Sequence, residues 1–156
     1  MTRKEIQAVT EKVYNKVTKR YGESNHHQTL PYVTIEDTPY SDEEVPKELY
    51  GEYCSMFNEI TLYWKNIPSI EVLIRTLVHE YQHYLQSPSW MTRYYKMGHI
   101  YNTHPYEVAA FGEEERWMEF LDDTMASQYM SKKDVSKLKK IKNNLFNPII
   151  FRTFTN

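Results

Sequence analysis

Between Leu73 and Gln86 the chain reads LIRTLVHEYQHYLQ. Leu73, Ile74, Leu77, Tyr81, Tyr84 and Leu85 recur at helical spacing, so the segment forms a helix whose apolar side anchors in a core. The same helix carries His79 and His83 one turn apart on a shared face, with Glu80 directly after the first histidine. Any fold for this chain has to bury one side of a helix and hold two imidazoles and a carboxylate together on another.

The 156 residues suffice for one domain with a real core and are too few for two ordinary ones. Residues 32–125 are expected to form the body of this single domain, 1–156, with a lysine-rich segment at 131–156. The single cysteine, Cys54, can form no internal disulfide, which points to an intracellular, cytoplasmic setting. It lies in a strand-like run and is read as packing rather than as a nucleophile. The net charge of -2 exerts no global pull towards nucleic acid or membrane. No apolar run reaches the length of a membrane span. The opening MTRKEIQAVTEKVYNK alternates charged and apolar residues, so neither a signal peptide nor an anchor is expected there. Fourteen tyrosines favour a surface or groove rich in amphipathic rings.

Ile6, Val9, Val13 and Val17 predict an amphipathic helix that stops near Gly22. YVTIED from Tyr32 reads as a short strand, and the acidic TPYSDEEVPKE after it as a loop. In GEYCSMFNEITLYWKN, Ile60, Leu62 and Trp64 alternate with Thr61 and Tyr63, the period of a half-buried strand. GEYCS before it, with a turn around Asn58, predicts a hairpin. Ser69 is a good N-cap for the histidine-bearing helix, which is expected to run to about Gln86 before SPSW breaks it at Pro88. A tyrosine-rich connector then leads to Pro105, a favoured first-turn residue, and to one long helix through PYEVAAFGEEERWMEFLDDTM. Helices around a few strands make this an α+β domain.

Two histidines at i and i+4 can reach one ion at the ~2.0–2.1 Å that zinc requires, with Glu80 placed to take a proton from water. A bare string of this kind also arises by chance on helices that bind nothing, so a third ligand has to be found. At ~100° per residue, Ala110, Phe111, Glu114, Met118, Leu121 and Met125 share one stripe of the second helix, and Glu107 falls in its middle. Glu113, Glu115 and Glu119 fall outside it. A carboxylate on an inward stripe is costly unless a cation or donors satisfy it, which makes Glu107 the best third ligand. His99 and His104 remain alternatives. Glu114, further along the stripe, is read as an acceptor that orients a ligand histidine or as a partner for Arg75. His104 beside Pro105 is read as an N-cap neighbour or as a donor to a developing oxyanion; Tyr95, Tyr101 and Tyr106 are further candidates for that donation. His26 and His27 are expected to be solvent-exposed.

HEYQH followed by HPYEVAAF resembles the small gluzincin-type metallopeptidases, closest to the ImmA/IrrE-type domains and to minimal stand-alone gluzincins, including some carried by bacteriophages. The resemblance spans roughly residues 32–125. It implies a zincin-like fold, one zinc ion held by His79, His83 and Glu107, and Glu80 as general base in peptide hydrolysis. It implies endopeptidase activity, and a location in a host cytoplasm or virion if the chain is phage-encoded. It also implies a peptide or protein substrate bound in extended form along a strand edge, here expected near Ile60–Trp64. Tyr81 and Gln82 depart from the small or apolar residues common at those positions, which bears on subfamily and substrate rather than on the metal site.

The run SKKDVSKLKKIKNN is read as a solvated helical face; it lacks the interleaved aromatics that would suggest stacking on single-stranded nucleic acid. NPIIFRTF is expected to pack on the core or add a strand. Two rival functions accompany the peptidase: a non-catalytic metal-containing module, such as a phage structural protein, and a regulatory protease acting on one partner protein.

Overall fold

A computed structural model describes residues 1–38 and 49–146. The acidic loop and the NPIIFRTF segment lie, in their greater part and wholly, outside the described residues. The described residues form an α+β arrangement of six helices and one three-stranded mixed sheet.

Helix α1 (Arg3–Tyr21) opens on a capping box: the Thr2 hydroxyl accepts from the Glu5 N–H, and the Glu5 carboxylate accepts from the Thr2 N–H at 2.7 Å. It ends at Gly22, where φ is +76°. Its buried stripe is Ile6, Val9, Val13 and Val17, the spacing read from sequence. Strands follow as β1 (Tyr32–Glu36), β2 (Gly51–Cys54) and β3 (Glu59–Tyr63). β2 and β3 form the expected hairpin, with Asn58 at φ +50° in its turn.

The sheet order is β1-β3-β2, with β1 parallel and β2 antiparallel to β3. This corrects the expected substrate edge. The strand of Ile60–Trp64 is central and hydrogen-bonded on both sides, so it has no free edge to offer. Ile60 and Leu62, both fully buried, are what draw β3 to the middle of the sheet. The edge beside the histidine helix is that of β2.

Helix α2 (Ile70–Leu85) starts where Ser69 accepts from the Val72 N–H at 3.3 Å. Leu73, Ile74, Leu77, Val78, Tyr81 and Tyr84 are buried between α1 and the sheet. Each large apolar side chain so buried contributes about 1.5–3 kcal/mol, which outweighs differences in helix propensity of a few tenths. Close packing of β2 on α2 depends on Gly51. A Cβ there would lie 2.8 Å from the Thr61 carbonyl oxygen and 2.8 Å from the Thr76 methyl. Gly51→Ala is therefore expected to lower stability by about 1–3 kcal/mol in urea unfolding. An unchanged midpoint would show that the strand can move off the helix freely.

Two expectations about the second half are corrected. Helix α2 stops at its C-cap Gln86, as expected, but Pro88 starts a new helix, α3 (Pro88–Lys96), which runs into the segment expected to be a connector. A proline forces the preceding residue into extended backbone but fits the first turn of a helix, so it divides two helices here. The long second helix is likewise three pieces: α4 (Pro105–Glu114), a short 3-10 turn at Trp117–Glu119, and α5 (Asp123–Tyr129). Three consecutive glutamates crowd the carbonyl end of α4, the unfavourable end for negative charge. Asp122 caps α5 separately through the Met125 N–H at 2.8 Å. Helix α6 (Lys132–Phe146) buries Leu138 and leaves Lys132, Lys133, Lys137, Lys139 and Lys140 exposed, as a solvated face. No described helix is long and apolar enough to cross a membrane.

Candidate metal centre

Helices α2 and α4 pack side by side, and their facing residues bring His79, His83 and Glu107 together. Glu107 lies in the first turn of α4, where the unpaired N–H groups favour a carboxylate. His79 Nε2 and His83 Nε2 are 3.0 Å apart, and Glu107 Oε2 lies 3.2 and 3.4 Å from them. A tetrahedral ion bonded at ~2.0–2.1 Å would hold its ligand atoms about 3.3 Å apart. Glu107 Oε2 is buried and has no well-aligned hydrogen bond despite its two neighbours. A buried carboxylate oxygen so placed is costly unless a cation meets it. Among the described residues this is the one cluster of histidine, cysteine or carboxylate donors that can hold a metal ion, and its three atoms fit one.

The far sides of both rings are engaged. His79 Nδ1–H donates to Glu114 Oε1 at 2.6 Å, and His83 Nδ1–H donates to Gln86 Oε1 at 2.8 Å. Gln86 Nε2 in turn donates to the Tyr106 carbonyl at 3.0 Å, which sets the amide's orientation. Both Nε2 atoms are thereby directed to the shared point. Of the two roles considered for Glu114, the structure selects the one on His79; Arg75 pairs instead with Glu71 and Glu115. Gln86 was not singled out from sequence. Its signal is its place three residues after His83, within reach of that ring from the helix end.

The other candidates are placed elsewhere. His104 is fully buried and is itself the N-cap of α4: Nδ1 accepts from the Tyr106 N–H, and Nε2–H donates to the Met91 carbonyl. Both nitrogens are used, so His104 is neither a ligand nor an oxyanion donor. His99 Nδ1–H donates to the Thr103 carbonyl and lies outside the cluster. Tyr106 contributes its carbonyl to Gln86, while its ring stands against Tyr94. His26 is exposed as expected. His27 is half-buried, stacked on Tyr84 and bonded to the Tyr53 hydroxyl at 2.8 Å.

A cleft passes over the cluster between the β2 edge and the helices. One cavity of about 400 Å³ adjoins His83 and one of about 620 Å³ adjoins His79. Glu80 and Tyr101 line both, so they stand where the two halves meet.

Burial opposes charge on His79, but Glu107, Glu114 and Glu80 outweigh it and carry its pKa up to about 10. His83 is raised in the same way, by Glu107 and Glu80 against its burial. Burial works against the Glu107 carboxylate too, yet the adjacent imidazoles bring its pKa down to about 2. Burial raises Glu80, more than the two histidines lower it. At neutral pH the metal-free cluster thus holds a proton on His79 that an ion must displace. Since Glu107 stays ionised, histidine protons alone compete, and affinity must fall as pH falls. Zinc titrations between pH 6 and 8 are expected to show apparent affinity rising about tenfold per pH unit for each proton released. A flat profile would mean that the ion does not enter through the histidines.

No protein-family model, no curated protein and no solved structure matches this chain.

Proposed function

We propose that the protein is a zinc-dependent peptidase of the gluzincin type with a zincin-like fold, hydrolysing peptide bonds in its cleft. The observation that carries this reading is the convergence of two imidazole nitrogens and one carboxylate oxygen on a single point, with the buried Glu80 carboxylate beside them in an open cleft. Two histidines and a glutamate are a donor set that suits zinc in catalytic sites, and three protein ligands leave a position open. A purely structural site closes its shell with a fourth protein ligand and has no use for Glu80.

When bound, zinc supplies a Lewis acid that acidifies water and polarises a carbonyl. The protein's own groups do the rest. Glu80, buried directly after His79 on the same helix, takes the proton from the attacking water and delivers it to the leaving amine. Glu114 and Gln86 keep the two histidines in one tautomer and orientation throughout. The edge of β2, unpaired among the described residues, holds the substrate backbone extended, with main-chain hydrogen bonds that any sequence can make.

Tyr101, one of the tyrosines considered for oxyanion donation beside His104, takes that role. Burial and the neighbouring Glu107 raise its pKa to about 12, so its hydroxyl keeps its proton and can donate. Tyr101→Phe is expected to lower kcat by about 10²-fold with little change in KM. The test of the whole reading is hydrolysis of a mixture of unfolded proteins by the zinc-loaded protein, with fragments identified by mass spectrometry. Activity abolished by chelation and restored by zinc supports it; fully loaded protein that cuts nothing refutes it.

A further inference from the structure

The two halves of the cleft differ in chemistry. The larger half, on the His79 side, is walled by Leu49, Tyr50, Val72, the Thr76 methyl and Phe111. Arg75, the one arginine or lysine among the described residues that line it, is already paired with Glu71 and Glu115 and stands over the Trp117 ring. Its charge is offset, and away from His79, Glu80 and Glu114 at the cluster the walls enclose a mainly apolar space large enough for an aromatic or long aliphatic side chain.

The smaller half, on the His83 side, is more polar: Glu52, Ser55, Gln86, Ser87 and Thr92 contribute to its walls, and among the described residues no lysine or arginine does. Glu52 sits in β2 itself, the edge strand, and its carboxylate accepts a hydrogen bond from the buried Tyr63 hydroxyl. Among the described residues it makes no ion pair. With zinc bound, Glu107 and Glu80 offset the two positive charges of the ion. Glu52 is then the carboxylate of this half without a counter-charge among the described residues, held in place by Tyr63.

Resting on the peptidase reading, we propose that the cleft selects chains with a bulky apolar side chain on one side of the scissile bond and a lysine or arginine on the other. Glu52 is the specificity-determining residue for the cation, and the pocket beside Val72 and Phe111 for the apolar group. An exposed carboxylate restrained by a buried phenol favours a cation and disfavours an anion, and such selection works as much by repelling the wrong residue as by attracting the right one.

The test uses zinc-loaded full-length protein and fluorescent peptides whose central amide is replaced by a hydroxyethylene group, so that binding is read without turnover. Peptides pairing Phe with Lys across that position are expected to bind about tenfold more tightly than those pairing Phe with Glu. Glu52→Lys should reverse the order, and Glu52→Gln should erase it while leaving the fold intact. Val72→Trp should remove the preference for Phe over Ala on the other side. Equal binding of the Lys and Glu peptides, or an order that survives Glu52→Lys, would overturn the proposal. The corresponding natural peptides separate it from the function beneath it. Hydrolysis without sequence preference defeats the selectivity alone, whereas ordered binding with no hydrolysis defeats the peptidase reading alone.

Discussion

Glu80→Gln is expected to keep its zinc and its fold while losing peptide hydrolysis by about 10²–10⁴-fold, the range over which a positioned general base contributes. The two side chains are nearly isosteric, so the packing of α2 should be undisturbed. What changes is chemical: an amide cannot accept the proton of the attacking water. Glu80 is only 7% exposed, directly after His79 and three residues before His83 in the helix, without being one of the three converging donors. Metal content by elemental analysis, circular dichroism and a peptidase assay on the same preparation distinguish the outcomes. A variant that retains zinc and full activity would remove Glu80 from the mechanism. Loss of zinc together with activity would make it a ligand instead of a base.

Glu107→Ala should weaken zinc binding by at least about 10³-fold, beyond the 10–100-fold loss typical of groups that merely support a ligand. The carboxylate supplies one of three donors and the negative charge that favours a cation in a buried place. The same change acts on the metal-free protein. There Glu107 helps hold His79 at about 10, and that raised pKa stabilises the fold. The contribution is complete below the ordinary histidine pKa of ~6.5 and fades as pH rises through about 10. Without Glu107 the metal-free variant should therefore lose stability chiefly at acidic and neutral pH, and differ least from the parent at alkaline pH. Zinc affinity by competition with a chromophoric chelator, and thermal unfolding at pH 6 and pH 10, check the two parts. Affinity equal to the parent's would rule out Glu107 as a ligand, and His104 could not replace it because both its ring nitrogens are already bonded.

Much of the site was legible because it depends on local spacing. His79 and His83 share a helical face wherever that helix is placed. Glu107 stood out as a carboxylate on an inward-facing stripe, even though the helix expected to carry the stripe proves to be three pieces. The inference held because Glu107 and Ala110 both belong to the first piece, α4, and both are buried; Phe111, also expected inward, lies 43% exposed at the cleft. Gln86 lies within local reach of His83, but the Tyr106 carbonyl that turns its amide oxygen towards that ring is twenty residues later, a contact that sequence spacing does not reveal.

Ser69, Gly22, Asn58 and Pro105 acted as local signals, since capping, positive φ and a fixed proline φ need no distant partner. The alternation in β3 likewise marked a strand. Strand order, by contrast, is a matter of which apolar faces can be buried together, and only the packing of the sheet on the helices put β3 in the centre and β2 at an edge of the described sheet. The amino-acid sequence by itself determined the helix that carries the two histidines and the glutamate, because a 3.6-residue period acts within one segment. The tertiary structure alone decided which carboxylate meets them, which groups orient them and which strand edge lies beside them, because those contacts join segments that approach one another only when the core closes.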